Sequence, residues 1–192
     1  MSQRRALARL LVMLTWLIEK RITSFERTFS YDMAYARELL AVDRRAFMTF
    51  TRLMAMARYR KDLPSDAYFA AKLIGTIAED CGPCTQLGVA LGLAERIPAS
   101  TITAILRDDR AAMPEGVRLV AELAHAVIAH APEADALRDQ VVARWGKRAL
   151  VSIAFAITAS RMFPTLKYTL GFGKACERIV VDGTPVVVRG AA

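Results

Sequence analysis

The chain has 192 residues, 54% of them hydrophobic, which is enough for a folded domain with its own apolar core. Ala, Leu, Met and Arg are prominent, a composition typical of packed helices rather than of a β-sandwich. Three cysteines, an odd number, argue against a framework of disulfides and for a reducing compartment, so we expect the protein in the cytoplasm.

The net charge of +8 comes entirely from the first third of the chain. Residues 1–61 contain thirteen Lys or Arg and five Asp or Glu, whereas the remainder contains fourteen of each sign. A basic segment of this kind can meet an anionic membrane surface, a nucleic acid or an acidic partner. We expect no nucleic-acid partner, because no recognised binding motif accompanies the charge.

Residues 1–30 predict a basic amphipathic helix. Apolar residues between Ala6 and Ile18 recur on one arc, and the opposite arc is mostly basic. Two interpretations are open: a peripheral contact with the inner membrane through residues 1–21, or docking on the protein's own domain or on a neighbouring subunit. The apolar run contains Arg9, is too short to span a bilayer and precedes no cleavage site, so it predicts neither a membrane span nor a signal peptide.

A helical domain is predicted over residues 31–174. Met and aromatic residues recur at helical spacing in two helices that break near Asp43, and we assign this stripe to the core. Proline, glycine and cap residues bound the later helices, and Pro164 is predicted to end the helical body. These later helices are predicted over residues 67–79, from the cysteine pair to about 96, from a cap at Ser100 or Thr101 to about 110, and over 114–130, 134–145 and 147–163.

The tail, residues 175–192, predicts a β-hairpin. Val-rich segments flank Asp182 and Gly183, which suit a two-residue turn. Pro185 confines its strand to a sheet edge. The predicted fold class is therefore all-α, a helical bundle with a short C-terminal hairpin.

The tetrapeptide CGPC places Cys81 and Cys84 at the predicted start of a helix. Pro83 suits the first helical turn, so the two thiols lie about one turn apart and close enough to join as a disulfide. The N–H groups of a helix N-terminus stabilise a thiolate, the nucleophilic form of cysteine. The pair can therefore cycle between dithiol and disulfide.

Two acidic residues, Glu79 and Asp80, precede the motif. Their charges raise the pKa of a neighbouring thiol, because an anion disfavours a thiolate. A carboxylate can also act as the local base for that thiol. Both roles stay open, and Glu79 joins the two cysteines as a candidate catalytic residue.

Other sites that use a Cys-x-x-Cys pair fit less well. A zinc site needs four ligands, and the remaining soft donors, Cys176, His125 and His130, are distant along the chain. Haem attachment needs a His directly after the second cysteine, where Thr85 stands. Thioredoxin uses the same CGPC, but after a β-strand, whereas the segment here is preceded by a helical pattern. We expect no metal and no organic cofactor, and two structural cysteines that are close by coincidence remain an alternative.

An all-helical chain with a Cys-x-x-Cys pair at a helix start resembles the alkylhydroperoxidase D and carboxymuconolactone decarboxylase superfamily. The segments MPEGVRLVAELAHAVI and LRDQVVARWGKRALVSIAFAITASRMFPTLKYTLG are similar to its later helices, and the likeness covers residues 66–171. The resemblance implies an alkylhydroperoxidase D-like (AhpD-like) bundle and a homo-oligomer. It also implies a hydroperoxide or disulfide substrate, redox catalysis by Cys81 and Cys84, and an external thiol reductant.

This chain departs from the pattern of that family in the residues of the proton relay. Its peroxidases give peroxide attack to the second cysteine, and they carry a His four residues after it and a Glu about one helix before the first. Here the His position is Gly88, and the region of the Glu has Phe69 and Lys72. A thiol near its reference pKa of about 8.5 is only a few per cent ionised at neutral pH. Slow peroxidase activity is expected unless another base takes part.

Replacement groups are present in the sequence. Glu79 is the closest base along the chain, His125 or Tyr168 could approach in three dimensions, and Cys176 would be a resolving thiol only if the tail folds back. Without such a base, the alternative is a non-catalytic, oligomeric binding module at a membrane surface or a protein partner. Its cysteines would then be structural or redox-sensing.

Overall fold

The computed structural model describes residues 2–174 and 178–189, with the backbone alone for 2–8 and 10–12. These residues form nine α-helices and one two-stranded antiparallel sheet, so the mostly helical fold with a small sheet is confirmed. The chain divides into two compact units, Met1–Phe47 and Met48–Ala192.

The first unit contains α1 (Ser2–Phe29) and α2 (Ala34–Val42), and α3 (Arg44–Met56) begins in it. Arg37 on α2 holds α2 against α1, since its guanidinium lies 2.6 Å from Glu26 and 3.0 Å from Glu19 on α1. The expected break near Asp43 is confirmed: this residue is extended, and its carboxylate accepts a hydrogen bond from the Arg45 amide at 2.8 Å. The local sequence therefore sets the end of one helix and the start of the next.

The second unit is built around α4, which packs against α5, α7 and α9. Gly75 allows the close approach of α9, because a Cβ there would lie 2.8 Å from the Cβ of Ser160. The predicted helices are found, but some of their bounds differ. Helix α6 follows Pro98 rather than a cap at Ser100 or Thr101, and it ends at Leu106 rather than near residue 110. The six helices are α4 (Ser65–Ile77), α5 (Gly82–Ala94), α6 (Ala99–Leu106), α7 (Glu115–Ile128), α8 (Ala134–Trp145) and α9 (Lys147–Thr169).

Helix α9 does not end at Pro164, so that prediction was wrong. The proline lies inside the helix, is itself buried, and is followed by five further helical residues to Thr169. Proline removes one backbone hydrogen bond of a helix. Burial of the helix face on both sides of Pro164 outweighs this loss, because packing overrides a local breaker. The extra residues bring the end of α9 to the cysteine motif.

The C-terminal hairpin is confirmed. Strand β1 (Ile179–Val181) pairs antiparallel with β2 (Thr184–Val186) across a turn in which Asp182 and Gly183 have φ of 47° and 76°. Both residues tolerate this left-handed backbone. The inward side chains of the hairpin belong to the core of the second unit, and the Arg189 amide donates to the Leu106 carbonyl at 3.0 Å.

Helix α9 is also the element, among the described residues, that is long and apolar enough to cross a membrane. Its length is 23 residues, and 44% of its most apolar window is buried inside the protein. A core helix meets the same criteria, so this is weak evidence for a membrane span.

Candidate active site

Cys81 occupies the N-cap of α5, as its sequence predicts. It has φ −104° and ψ 92°, and Pro83 follows in the first turn of the helix. Its carbonyl accepts the first helical hydrogen bond from the Thr85 amide at 2.9 Å. A short turn, in which Asp80 adopts a left-handed φ of 46°, connects α4 to this cap. The backbone N–H groups of the first turn therefore surround the position where a thiolate would form.

The two sulfurs of the motif lie together and are shielded from solvent. The Sγ atoms of Cys81 and Cys84 are 2.7 Å apart, and the residues are 1% and 6% exposed. The hydrogen bond from Cys84 lowers the pKa of the Cys81 thiol from 9.0 to about 7, with help from the Cys84 amide and the charge of Lys167. Burial and the Asp80 charge oppose this change. The Cys81 thiol is therefore more readily ionised than an ordinary cysteine thiol.

The two acidic residues before the motif contact the end of α9. Glu79 accepts a hydrogen bond from Arg161 Nε at 2.6 Å, and Thr165 Oγ1 lies 3.4 Å from its second oxygen. The Tyr168 hydroxyl donates to the backbone carbonyl of Asp80 at 2.9 Å. Of the replacement groups considered, Tyr168 and Glu79 therefore lie at the motif turn. A role of Glu79 as a base stays a prediction, and its carboxylate is held by an arginine.

Lys167 is the residue at this site that the sequence analysis missed. It lies in the last turn of α9, is 3% exposed, and its positive charge acts on the Cys81 sulfur. A signal was present, because Lys167 continues the three- and four-residue spacing of the buried face of α9 beyond Pro164. The expectation that a proline ends a helix excludes this position from the predicted helical face.

Gly88, where the resemblance predicts a relay histidine, lies against a side chain from α4. A Cβ at Gly88 would lie 2.9 Å from Leu73 Cδ2, and Leu73 is fully buried. The region of the family's glutamate is also occupied differently: Lys72 Nζ lies 5.0 Å from the Phe69 ring centroid and 3.5 Å from the Ala57 carbonyl. Burial lowers the pKa of Lys72 to about 8.

Two threonines join α4 to α5 behind the motif. Thr85 Oγ1 lies 3.1 Å from the Cys81 carbonyl and 3.2 Å from Thr76 Oγ1, and the Thr76 hydroxyl donates to the Leu73 carbonyl at 2.9 Å. Both threonines are buried. Since the chain of hydroxyls ends on a backbone carbonyl, it holds the start of α5 in place rather than carrying protons to a base.

Of the other candidate donors, His125 is paired with an aspartate. His125 Nε2 is 3.6 Å from Asp108 Oδ1, and burial lowers the pKa of this histidine. Cys176, which is expected to be structural, lies outside the described residues. Within the part of the chain that is described, no group of three or more His, Cys, Asp or Glu side chains is arranged to hold a metal ion.

The hairpin contacts the same helix two residues after the motif. The Gln86 side chain donates to the Val180 carbonyl at 2.9 Å and accepts from the Val180 amide at 2.8 Å. The amide of Gln86 thus replaces a strand partner on the open edge of β1.

No family model, curated protein or solved structure matches the chain.

Proposed function

We propose that the protein is a thiol–disulfide oxidoreductase of the alkylhydroperoxidase D-like type, which reduces a peroxide or a partner disulfide with Cys81 and Cys84. The observation that carries the proposal is the 2.7 Å separation of the two sulfurs at the N-terminus of α5. The lowered pKa of Cys81 supplies the nucleophile that the missing relay would otherwise have to produce.

The chemistry follows from this pair. The Cys81 thiolate attacks the terminal oxygen of a hydroperoxide, the O–O bond breaks, and the leaving alkoxide takes a proton to become an alcohol. The resulting sulfenic acid on Cys81 is attacked by the Cys84 sulfur, the S–S bond forms, and water leaves. Two electrons have then passed from the thiols to the peroxide, and an external dithiol reduces the disulfide. This order assigns the attack to the first cysteine, the reverse of what the family resemblance implies.

The resemblance to the superfamily supports the proposal through the all-helical body and the motif at a helix start. Under this proposal the protein is a homo-oligomer in the cytoplasm. No cofactor is needed, because the electrons come from the thiols themselves.

The test is peroxide consumption with dithiothreitol as the reductant. The wild-type protein, Cys81→Ser and Cys84→Ser are compared, and Cys176→Ser is the matched control for loss of a thiol outside the pair. We expect turnover in the wild type and the control, and background rates in the two motif variants. Trapping of a sulfenic acid by dimedone in Cys84→Ser but not in Cys81→Ser identifies the attacking sulfur. Equal rates in all four proteins would remove the enzyme proposal.

A second candidate function is the binding module at a membrane surface, and α1 carries the observation that favours it. Met13 and Trp16 are each 52% exposed, and Leu14 and Leu17 are also exposed. Lys20 Nζ lies 4.0 Å from the Trp16 ring centroid, so a cation borders these apolar side chains. An amphipathic helix with this composition suits an anionic lipid surface.

The membrane contact is tested by co-sedimentation of the full chain with vesicles that contain anionic lipid. We expect the double substitution Trp16→Ser and Leu17→Ser to release the protein, and the matched control Thr15→Ser to leave binding unchanged. Equal sedimentation of all three proteins would exclude a contact through this face of α1.

A further inference from the structure

The last turn of α9 places a lysine at the centre of a buried helix face. Small and apolar residues recur along this face at a spacing of three or four, and the next position in the series is a lysine with 3% exposure. A charged lysine is almost never this buried unless another group compensates its charge. The series runs Ala149, Ile153, Ala156, Ser160, Pro164, Lys167.

Neighbouring residues of α9 fix this turn against the motif. Arg161 is bound to the Glu79 carboxylate at 2.6 Å, and the Tyr168 hydroxyl is bound to the Asp80 carbonyl at 2.9 Å. Both contacts are with the two residues directly before Cys81. The docking of α9 therefore brings the helix turn that carries Lys167 to the residues directly before Cys81.

The other charges near Cys81 are few. Helices α5 and α6 and strand β1, which pack together around the motif, contain no charged residue. Helix α4 contains Asp66 and Lys72, and the latter lies beside an aromatic ring and the Ala57 carbonyl. At the motif turn, Glu79 is neutralised by Arg161, and Asp80 acts on Cys81 with the opposite sign to Lys167.

We propose that Lys167 is a positioning residue for the cysteine pair: its buried ammonium stabilises the Cys81 thiolate and so favours the dithiol over the disulfide. The inference rests on the reversible disulfide of the proposed function. A buried cation near the sulfur favours the thiolate through its charge, so the thiolate can form without the base that a relay histidine would supply.

The first experiment measures the pH dependence of iodoacetamide alkylation of Cys81 in the reduced protein, followed by mass spectrometry. Lys167→Met removes the charge and keeps a similar chain length, and Lys167→Arg is the matched control that keeps the charge. Loss of an adjacent cation raises the midpoint by about one pH unit, and the arginine variant keeps the wild-type midpoint. An unchanged midpoint in Lys167→Met, or an equal rise in Lys167→Arg, would overturn the inference.

The second experiment measures the equilibrium of the Cys81–Cys84 pair with reduced and oxidised dithiothreitol, in a Cys176→Ser background. A rise of one pH unit in the midpoint lowers the equilibrium ratio of dithiol to disulfide about twofold at pH 7 and about fivefold at pH 8, because the charge stabilises only the ionised fraction of the dithiol. A merely structural effect of the substitution would be the same at both pH values, and that result would contradict the inference.

Two outcomes separate this inference from the proposed function. If the wild-type pair forms no reversible disulfide, the proposed function fails, while the alkylation midpoint still decides the role of Lys167. If the pair cycles and Lys167→Met changes nothing, the inference alone fails. Thermal unfolding followed by circular dichroism checks that each variant is folded, and Lys167→Gln is read in the same way if the methionine variant does not fold.

Discussion

Gly88 stands where the proposed likeness to AhpD-like peroxidases would place a histidine, and here the absence of a side chain allows close packing against Leu73. An added Cβ would lie 2.9 Å from Leu73 Cδ2, so the fully buried leucine side chain would have to shift. Overpacking of this kind costs about 1–3 kcal/mol, and the better helix propensity of alanine returns about 1 kcal/mol. We therefore expect Gly88→Ala to lower the free energy of unfolding by about 1 kcal/mol.

Equilibrium unfolding in urea tests the assignment to Leu73 through a double-mutant cycle. Leu73→Ala alone is expected to cost about 2–5 kcal/mol, because it leaves a cavity in the core. In the double variant the new methyl group at 88 occupies part of that cavity, so the combined loss is smaller than the sum by about 1 kcal/mol. Gly92→Ala is the matched control, since its Cβ would contact Ile102 at 3.2 Å. Additive effects of Gly88→Ala and Leu73→Ala would refute the packing argument.

The same contact bears on the missing relay. A histidine at position 88 adds an imidazole ring to a Cβ that is already too close to Leu73. Gly88→His is therefore expected to destabilise the protein by more than Gly88→Ala and not to raise peroxide turnover. A faster peroxidase with wild-type stability would show that the site accepts the family's base after all.

The remaining predictions concern the surroundings of the motif. Folding lowers the pKa of Cys81 from 9.0 to about 7, so the reduced protein should gain stability as the pH rises from about 7 towards 9. This gain should be lost as the pH falls through 7. Urea unfolding should show the pH dependence in the wild type but not in Cys81→Ser. Gln86→Leu removes both hydrogen bonds to Val180, so hydrogen exchange of the hairpin amides should become about tenfold faster, and an unchanged rate would mean that the hairpin is held by its buried side chains alone. Glu79→Gln should lower the free energy of unfolding by less than about 1 kcal/mol, since its partner Arg161 is partly exposed. If Glu79 acts as a base, Glu79→Gln should slow peroxide turnover more than Arg161→Met does. Equal slowing by the two variants would show that Glu79 is only an ion-pair partner.

Local patterns were sufficient for most of the secondary structure. The break at Asp43, the turn at Asp182 and Gly183, and the helix start at Cys81 follow from the conformations that those residues favour within a few positions of themselves. Pro164 shows the limit of such rules, because the burial of the helix face around it is a property of the packed unit. A cap or a turn can be predicted because its hydrogen bonds join residues that are close in sequence. The packing of a helix face cannot be predicted in this way, because it depends on residues far along the chain.

By itself, the sequence determined that the chain is mostly helical, that a hairpin closes it, and that Cys81 and Cys84 lie one turn apart at a helix start. Helix geometry fixes the distance between residues three apart, so this much needs no knowledge of the rest of the chain. Only the tertiary structure decided which groups surround the two sulfurs. The buried Lys167, far along the chain from Cys81, belongs to the helix end at the motif because α9 continues through a proline and docks on the motif turn.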